Sequence, residues 1–166
     1  MTSLTVRDLE FALAKLIDLM ERFGAVVMSP DGGDDVVVAH EPSGRLRIRL
    51  QARLSASRSG DAGIDVIELW GPASPGMWDR VEYAYELRDH RLGYRRALHK
   101  HDVGCFVRRY DVVTHEHCES TIGVALCPHF TGEPVRDAAD GFLRLYGQWL
   151  ENSPPDCTAL RCLDTS

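Results

Sequence analysis

The sequence predicts a single small α+β domain in which an antiparallel sheet is flanked by an N-terminal and a C-terminal helix. Three observations lead to this fold class. A helical repeat of apolar residues opens the chain, several runs with two-residue alternation follow, and a second helical repeat comes near the end. A chain of 166 residues is long enough to bury its own apolar core, so we expect one domain over residues 1–166.

The first helix is predicted from its cap and its apolar stripe. Thr5 and Asp8 have the spacing of a capping box, in which each side chain bonds the other residue's backbone N–H. Gly24 is a suitable residue to end the helix. The stripe that we expect to face the sheet comprises Leu9, Leu13, Leu16, Ile17 and Met20.

Short β-prone runs at Ala25–Met28 and Val36–His40 precede the clearest strand, Arg45–Leu54. In that strand leucine and isoleucine alternate with arginine, so one face is apolar and the other basic. The basic face, which includes Arg47 and Arg49, is typical of the solvated side of a half-buried sheet and would also suit phosphate contacts. We expect a polar loop over Ser55–Gly63.

The remaining elements are read from alternation and breaker residues. A strand at Ile64–Trp70 is followed by a break at Gly71–Gly76. Four strand-like runs then predict an antiparallel meander: Val81–Arg88, Leu92–His99, Val103–Tyr110 and Val112–Cys118. A last helix is expected over residues 134–151, with Pro134 in its first turn. Its predicted inner stripe is Val135, Ala138, Ala139, Phe142, Tyr146 and Trp149.

Charge and cysteine content restrict the class of protein. The net charge is −6, yet residues 41–58 carry five arginines against Glu41 alone, and residues 88–109 carry seven basic residues against two aspartates. An acidic body with two basic stretches suits local anion binding rather than coating of nucleic acid by bulk charge. No apolar run is long enough to cross a bilayer, no signal peptide is recognisable and the five cysteines are odd in number, so we expect a cytoplasmic protein with free thiols.

Two His-x-His pairs, His99 with His101 and His115 with His117, are the strongest candidates for chemistry. Residues i and i+2 of a strand point to the same side, so neighbouring strands would bring four imidazoles together. Three interpretations remain open. The histidines are suited to acid–base catalysis near neutral pH, they offer nitrogen ligands for zinc, or they are ordinary structural residues of a sheet.

Arginines interleaved with these histidines favour the first interpretation. Arg95, Arg96 and Arg108 would hold phosphate by bidentate contacts. Nearby aromatic residues would suit single-stranded RNA, whose bases stack on rings, although a place in the sheet core is more typical of them. These are Tyr83, Tyr85, Tyr94, Phe106 and Tyr110.

The segments Tyr83–Asp89, Tyr94–Arg96, His99–His101 and Thr114–His117 together resemble the TumE-like toxins of bacterial toxin–antitoxin modules. Members of that family are small α+β proteins with a Tyr-x-Tyr strand, an arginine strand leading to a histidine, a histidine-rich strand and a following helix. The resemblance covers Tyr83 to Leu150. It implies a ribonuclease-type toxin that is held by a partner antitoxin.

We therefore expect a metal-independent ribonuclease with no cofactor. The expected acid–base residues are His99, His101, His115 and His117, and the expected phosphate contacts are Arg95, Arg96, Arg108, Arg47 and Arg49. RNA and an antitoxin are the expected partners. Two alternatives stay open: a non-catalytic binding module, which includes an accessory or antitoxin-like subunit, and a zinc-binding protein.

Overall fold

The computed structural model describes residues 3–28, 36–56, 60–100, 114–119, 127–129 and 135–151. Helix α1 (Val6–Arg22) begins after Thr5. The Thr5 hydroxyl accepts a hydrogen bond from the Asp8 N–H at 3.2 Å, and the Asp8 carboxylate accepts one from the Thr5 N–H at 3.0 Å. This reciprocal pair confirms the predicted capping box. Gly24 follows the helix with a φ of 79°, which only glycine adopts without strain.

Eight strands follow α1 within the described ranges, and each pair of neighbours is antiparallel. They are β1 (Ala25–Met28), β2 (Val36–His40), β3 (Leu46–Ala56), β4 (Gly60–Ser74), β5 (Met77–Asp89), β6 (Tyr94–Lys100), β7 (Thr114–Glu119) and β8 (Cys127–His129). The sheet runs in the order β1-β3-β4-β5-β6-β7-β8. Strand β2 pairs with the same edge of β3 as β1 does, alongside the first half of β3.

The hairpins around β4 are longer than the sequence predicts. Most of the expected loop Ser55–Gly63 is strand, because β3 and β4 stay in register from Leu46–Trp70 to Ala56–Gly60. The predicted break at Gly71–Gly76 is also longer than the turn that the structure contains. Strand β4 continues to Ser74, and a tight turn with Gly76 at a φ of 75° leads directly into β5. Cross-strand pairing along β5 overrides the local turn preference of glycine and proline.

From β3 onward each described strand pairs with the next described strand along the chain. The meander expected over Val81–Cys118 is confirmed for β5 and β6, but the prediction places Val103–Tyr110 between β6 and β7. Strand β6 pairs directly with β7, with Arg95 opposite Glu119 and Lys100 opposite Thr114. The predicted strand Val103–Tyr110 lies outside the described residues. Strand β8 was not predicted from the sequence.

Helix α2 (Ala138–Glu151) begins four residues later than predicted. The Asp137 carboxylate accepts a hydrogen bond from the Asp140 N–H at 2.8 Å, so Asp137 caps the helix in place of a start at Pro134. Both helices pack on one face of the sheet. The core between them and the sheet contains Leu16 and Met20 of α1, Phe142, Leu145 and Trp149 of α2, and strand residues such as Leu50, Val66, Tyr85 and Leu87. The fold is thus a single α+β arrangement, as the sequence predicts.

A buried polar network ties the start of α2 to this helix-bearing face. Glu68 accepts hydrogen bonds from Trp70, Arg80 and Tyr85. The Arg80 guanidinium also donates to the backbone carbonyl of Val135 at 2.6 Å. Burial and the charge of Glu68 raise the pKa of Tyr85 well above its ordinary value, so its hydroxyl remains a donor. These contacts fix where the chain enters α2.

Neither described helix combines the length and the apolar character that a membrane span requires.

Candidate functional site

The candidate site lies on the outer face, which we define as the face of the sheet opposite the two helices. Alternation along β3 sends Leu46, Ile48 and Leu50 to the core and places Arg47 and Arg49 on the outer face. On β6 the same alternation separates Leu98, which is in the core, from Arg95 and His99. The arginine ladder of β3 and the histidine strand β6 therefore belong to one surface.

Strand register aligns the two predicted groups in a single row across the sheet. Arg49 pairs with Ile67, Ile67 with Ala84, Ala84 with His99, and His99 with His115. The backbones of His99 and His115 are thus direct neighbours. Three strand spacings separate Arg49 from His99, or about 14 Å. The ladder and the histidines can therefore contact different groups of one extended ligand, but not the same phosphate.

Glu86 is the centre of the most closely connected part of this face. It pairs with Ala97, whose small side chain leaves Glu86 between the two diagonal neighbours Arg95 and His99. Glu86 Oε1 lies 2.8 Å from Arg95 Nη2 and 3.3 Å from His99 Nε2. Arg88, two residues further along β5, donates a short hydrogen bond to the other Glu86 oxygen.

Electrostatics keep Glu86 ionised. Its partial burial acts to raise the pKa of the carboxyl, but hydrogen bonds from His99 and Arg95 and the charges of Arg95 and Arg88 outweigh burial. The pKa of Glu86 therefore lies well below its usual range. A permanent carboxylate beside an imidazole stabilises the positive charge that the ring gains when it takes up a proton.

Carboxylates also face the arginines of the β3 ladder. Arg47 Nη2 lies 2.7 Å from Glu41, and Arg49 Nη2 lies 3.4 Å from Asp65. The Arg47 and Arg49 side chains remain 50% and 40% exposed, so an incoming anion can reach both. Exposed pairs of this kind contribute little to stability, and an anionic ligand replaces their carboxylates at small cost.

The structure separates Arg96 from the other predicted phosphate contacts. Arg96 is buried on the helix-bearing face, where its Nε donates to the Tyr94 hydroxyl at 3.1 Å and its Nη1 lies 3.6 Å from Glu116. One-residue alternation on β6 sends Arg95 and Arg96 to opposite faces. His101 and Arg108 lie outside the described residues, and His115 and His117 are described in backbone alone.

The stacking role considered for the aromatic residues is wrong for three of them. Tyr83, Tyr85 and Tyr94 are buried in the core on the helix-bearing face, where the first two rings stack 4.9 Å apart. Sheet packing takes these rings away from the outer face. Phe106 and Tyr110 lie outside the described residues.

As for the zinc alternative, the described part of the chain contains no group of three or more His, Cys, Asp or Glu residues that could hold a metal ion.

Two residues of this face are not among the site residues that we expect from the sequence: Glu86, which was missed, and Arg88, one of the interleaved arginines. Glu86 gathers two arginines and a histidine, and the Arg88 side chain is 50% exposed beside it. The signal was present in the alternation of β5. Glu86 and Arg88 fall in the opposite phase to Tyr83 and Tyr85, so a strand with buried tyrosines places both on the polar side.

Comparison of the chain with protein-family models, with curated proteins and with solved structures yields no match.

Proposed function

We propose that the protein is a TumE-like, metal-independent ribonuclease that binds single-stranded RNA across the outer face of its sheet. The observation that best supports this proposal is the register of β6 and β7, which sets His99 beside His115 in the row that leads to Arg49. Cleavage of RNA through its 2′-hydroxyl requires a base, an acid and cations near the phosphate. The outer face offers residue types for all three.

Each residue has a role in this proposal. His99 accepts the proton of the 2′-hydroxyl, because Glu86 at 3.3 Å stabilises the resulting imidazolium. His115, its cross-strand neighbour, protonates the leaving 5′-oxygen. His101 and His117 are the second members of each pair. Arg88 and Arg95, which both contact Glu86, supply positive charge for the scissile phosphate.

The β3 ladder holds a second part of the RNA. Arg47 and Arg49 contact phosphates that flank the scissile one, since about 14 Å separates Arg49 from His99 along the row. Contacts of this kind position the strand without reading its bases. In keeping with a ribonuclease toxin, we place the protein in the cytoplasm with an antitoxin as its protein partner.

Cleavage of RNA by the purified protein in the presence of EDTA tests the proposal. We expect wild type to cut a single-stranded RNA and a His115→Ala/His117→Ala variant to lose cutting, together with any growth arrest on expression. His90→Ala is the matched control, because His90 is exposed in the turn before β6 and should leave cleavage unchanged. Unchanged cleavage in the double variant would overturn the assignment.

A non-catalytic binding module is the second candidate, and one observation favours it. The His99 side chain is only 11% exposed and already lies against Glu86, whereas Arg47, Arg49 and Arg88 are far more accessible. In that case the same assay gives RNA that is bound by the outer face and recovered intact. If the protein neither cleaves nor binds RNA, the ribonuclease and an RNA-binding module are both excluded.

A further inference from the structure

A cavity of about 790 Å³ lies on the helix-bearing face, away from the outer face described above. Its walls come from α1, β3 and β4 on one side and from the segment that enters α2 on the other. The volume is in the range of small-molecule sites. Apolar side chains make up most of the lining among the described residues: Leu9, Leu13, Leu16, Ile48, Val66 and Trp70.

The polar residues of the cavity lining differ in how well other residues already pair with them. Glu68 and Arg80 neutralise each other in the buried network, with a distance of 3.1 Å between Oε1 and Nη1. At the rim, Arg136 lies 3.9 Å from Asp137. Lys15 holds its ammonium 4.3 Å from the centre of the Phe11 ring. Each of these groups already has a partner, although Arg80 Nε is buried without a hydrogen bond in the described part of the chain.

Lys100 differs from these groups. Its ammonium donates to the Arg80 carbonyl at 3.5 Å, a long contact, and no described carboxylate forms an ion pair with it within 4.0 Å. Burial and the positive charge of Arg80 lower the pKa of Lys100, and together they outweigh the opposite effect of the Asp79 carboxylate. Thr114, its neighbour across β6 and β7, also lines the cavity and is buried.

We propose that this cavity binds an apolar monocarboxylate, with the carboxylate on Lys100 and Thr114 and the hydrocarbon part against the leucines of α1. The choice of an anion follows from Lys100, because a cationic ligand would be repelled by this ammonium, whereas Glu68 already neutralises Arg80. A single carboxylate is the complement of one ammonium and one hydroxyl donor. Apolar walls exclude highly polar anions such as nucleotides, which would lose water without new partners.

Calorimetric titration of the whole chain with dodecanoate and with dodecan-1-ol tests this proposal. The two probes share a hydrocarbon chain and differ in the head group. We expect dodecanoate to bind to one site at least about tenfold more tightly than the alcohol, because a charge-assisted contact forms only with the carboxylate. Phenylbutyrate, an aromatic monocarboxylate, distinguishes a preference for alkyl chains from one for rings. Equal affinity for dodecanoate and dodecan-1-ol, or no saturable binding of dodecanoate, would overturn the proposal.

Two variants and one control locate the ligand. Lys100→Met should weaken dodecanoate about tenfold and leave dodecan-1-ol unchanged. Arg22→Met, which removes an exposed cation of α1 that is not among the described residues of the cavity lining, should leave both affinities unchanged. Val66→Phe fills the cavity and should weaken both probes. If dodecanoate binds the Val66→Phe protein as it binds wild type, the site lies elsewhere and the proposal fails.

A spectroscopic readout keeps the test independent of variant folding. Because the chain has two lysines, reductive methylation with ¹³C-labelled formaldehyde introduces only two side-chain probes. Dodecanoate should raise the pKa of Lys100 towards its ordinary value, whereas dodecan-1-ol should not. A raised pKa at Lys15 alone would contradict the proposed head-group position. The result does not depend on RNA binding by the outer face.

Discussion

Glu86 Oε1 lies 3.3 Å from His99 Nε2, on a diagonal across the paired strands β5 and β6. The opposite position is Ala97, so no side chain stands between them. The same oxygen is 2.8 Å from Arg95. This arrangement makes Glu86 both an electrostatic partner of the proposed base and a structural tie between two central strands.

The first prediction concerns the pH dependence that Glu86 gives to stability. The pKa of Glu86 is lowered in the folded protein from its ordinary value of 4.5. The carboxylate therefore stabilises the fold at pH values above 4.5, and this contribution is lost as the pH falls below 4.5. We expect Glu86→Gln to cost about 1–3 kcal/mol at pH 7, and the difference from wild type to shrink towards pH 3. Urea denaturation at both pH values measures it.

Glu10→Gln is the control for this experiment, since Glu10 is exposed on α1 and should change stability little at either pH. A Glu86→Gln cost that stays constant from pH 7 to pH 3 would show that lost packing, rather than lost charge, accounts for the effect.

The second prediction concerns the β3 ladder and the salt dependence of RNA affinity. Each phosphate contact adds about 0.7 to the slope of log affinity against log salt for a single strand. The Arg47→Gln/Arg49→Gln variant should therefore reduce that slope by about 1.4 and weaken binding uniformly across RNA sequences. Arg22→Gln, on exposed α1 beside Asp18, should leave the slope unchanged. A loss of affinity that depends on the RNA sequence would argue against phosphate contacts.

The third prediction concerns the buried Glu68–Arg80 pair on the helix-bearing face. Removal of one partner leaves an uncompensated buried charge, so Glu68→Gln or Arg80→Met alone should cost about 3–5 kcal/mol. The double variant should cost clearly less than the sum of the two. A denaturation-based double-mutant cycle measures this coupling. For comparison, Arg22→Met breaks an exposed pair and should cost less than about 1 kcal/mol. Additive costs at Glu68 and Arg80 would disprove the coupling.

The fourth prediction compares two glycines of helix α2. A Cβ at Gly141 would stand 2.4 Å from the Tyr85 ring, whereas a Cβ at Gly147 meets nothing within 4 Å. Gly141→Ala should therefore cost about 1–3 kcal/mol through overpacking. Gly147→Ala should stabilise the protein by about 0.5–1 kcal/mol, because alanine loses less backbone entropy in a helix. Thermal unfolding of both variants checks the opposite signs.

Much of the fold could be predicted from the sequence because its signals are local. The capping box of α1 depends on two residues three positions apart, and the two faces of β3 follow from strict alternation. The hairpin lengths could not be predicted in this way. Pairing with β5 extends strand β4 through Gly71 and Pro72, where local preference favours a turn.

The burial of Arg80 shows why alternation alone fails near a bulge. Tyr83 and Tyr85 set a phase that would send residue 81 to the core. The register shifts between Leu69 and Trp70, so that Trp70 pairs with Arg80 and not with Val81. The bulge reverses the phase and brings Arg80 inside, beside Glu68. Glu68 is a charged residue at a position of β4 that faces the core. Its place in the sequence was the signal that a partner of opposite charge is buried beside it.

The candidate site could be predicted only in part, because its residues are distant in sequence. The pairing of His-x-His strands required β6 and β7 to be neighbours, and their register sets His99 opposite His115. The alignment of Arg49 with His99 depends on the whole strand order, which no local pattern contains. The separation of Arg96 from Arg95 does follow from alternation along one strand.

The most direct test of the central claim compares two substrates that differ at one oxygen. A labelled single-stranded RNA and the same RNA with one 2′-deoxynucleotide at the cleavage position are incubated with wild-type protein in EDTA. We expect the RNA to be cut with a 2′,3′-cyclic phosphate end, and the substituted strand to bind equally well and stay intact at that position. Equal cleavage of both strands, or binding of both without cleavage, would contradict the proposed role of the outer face as a metal-independent ribonuclease.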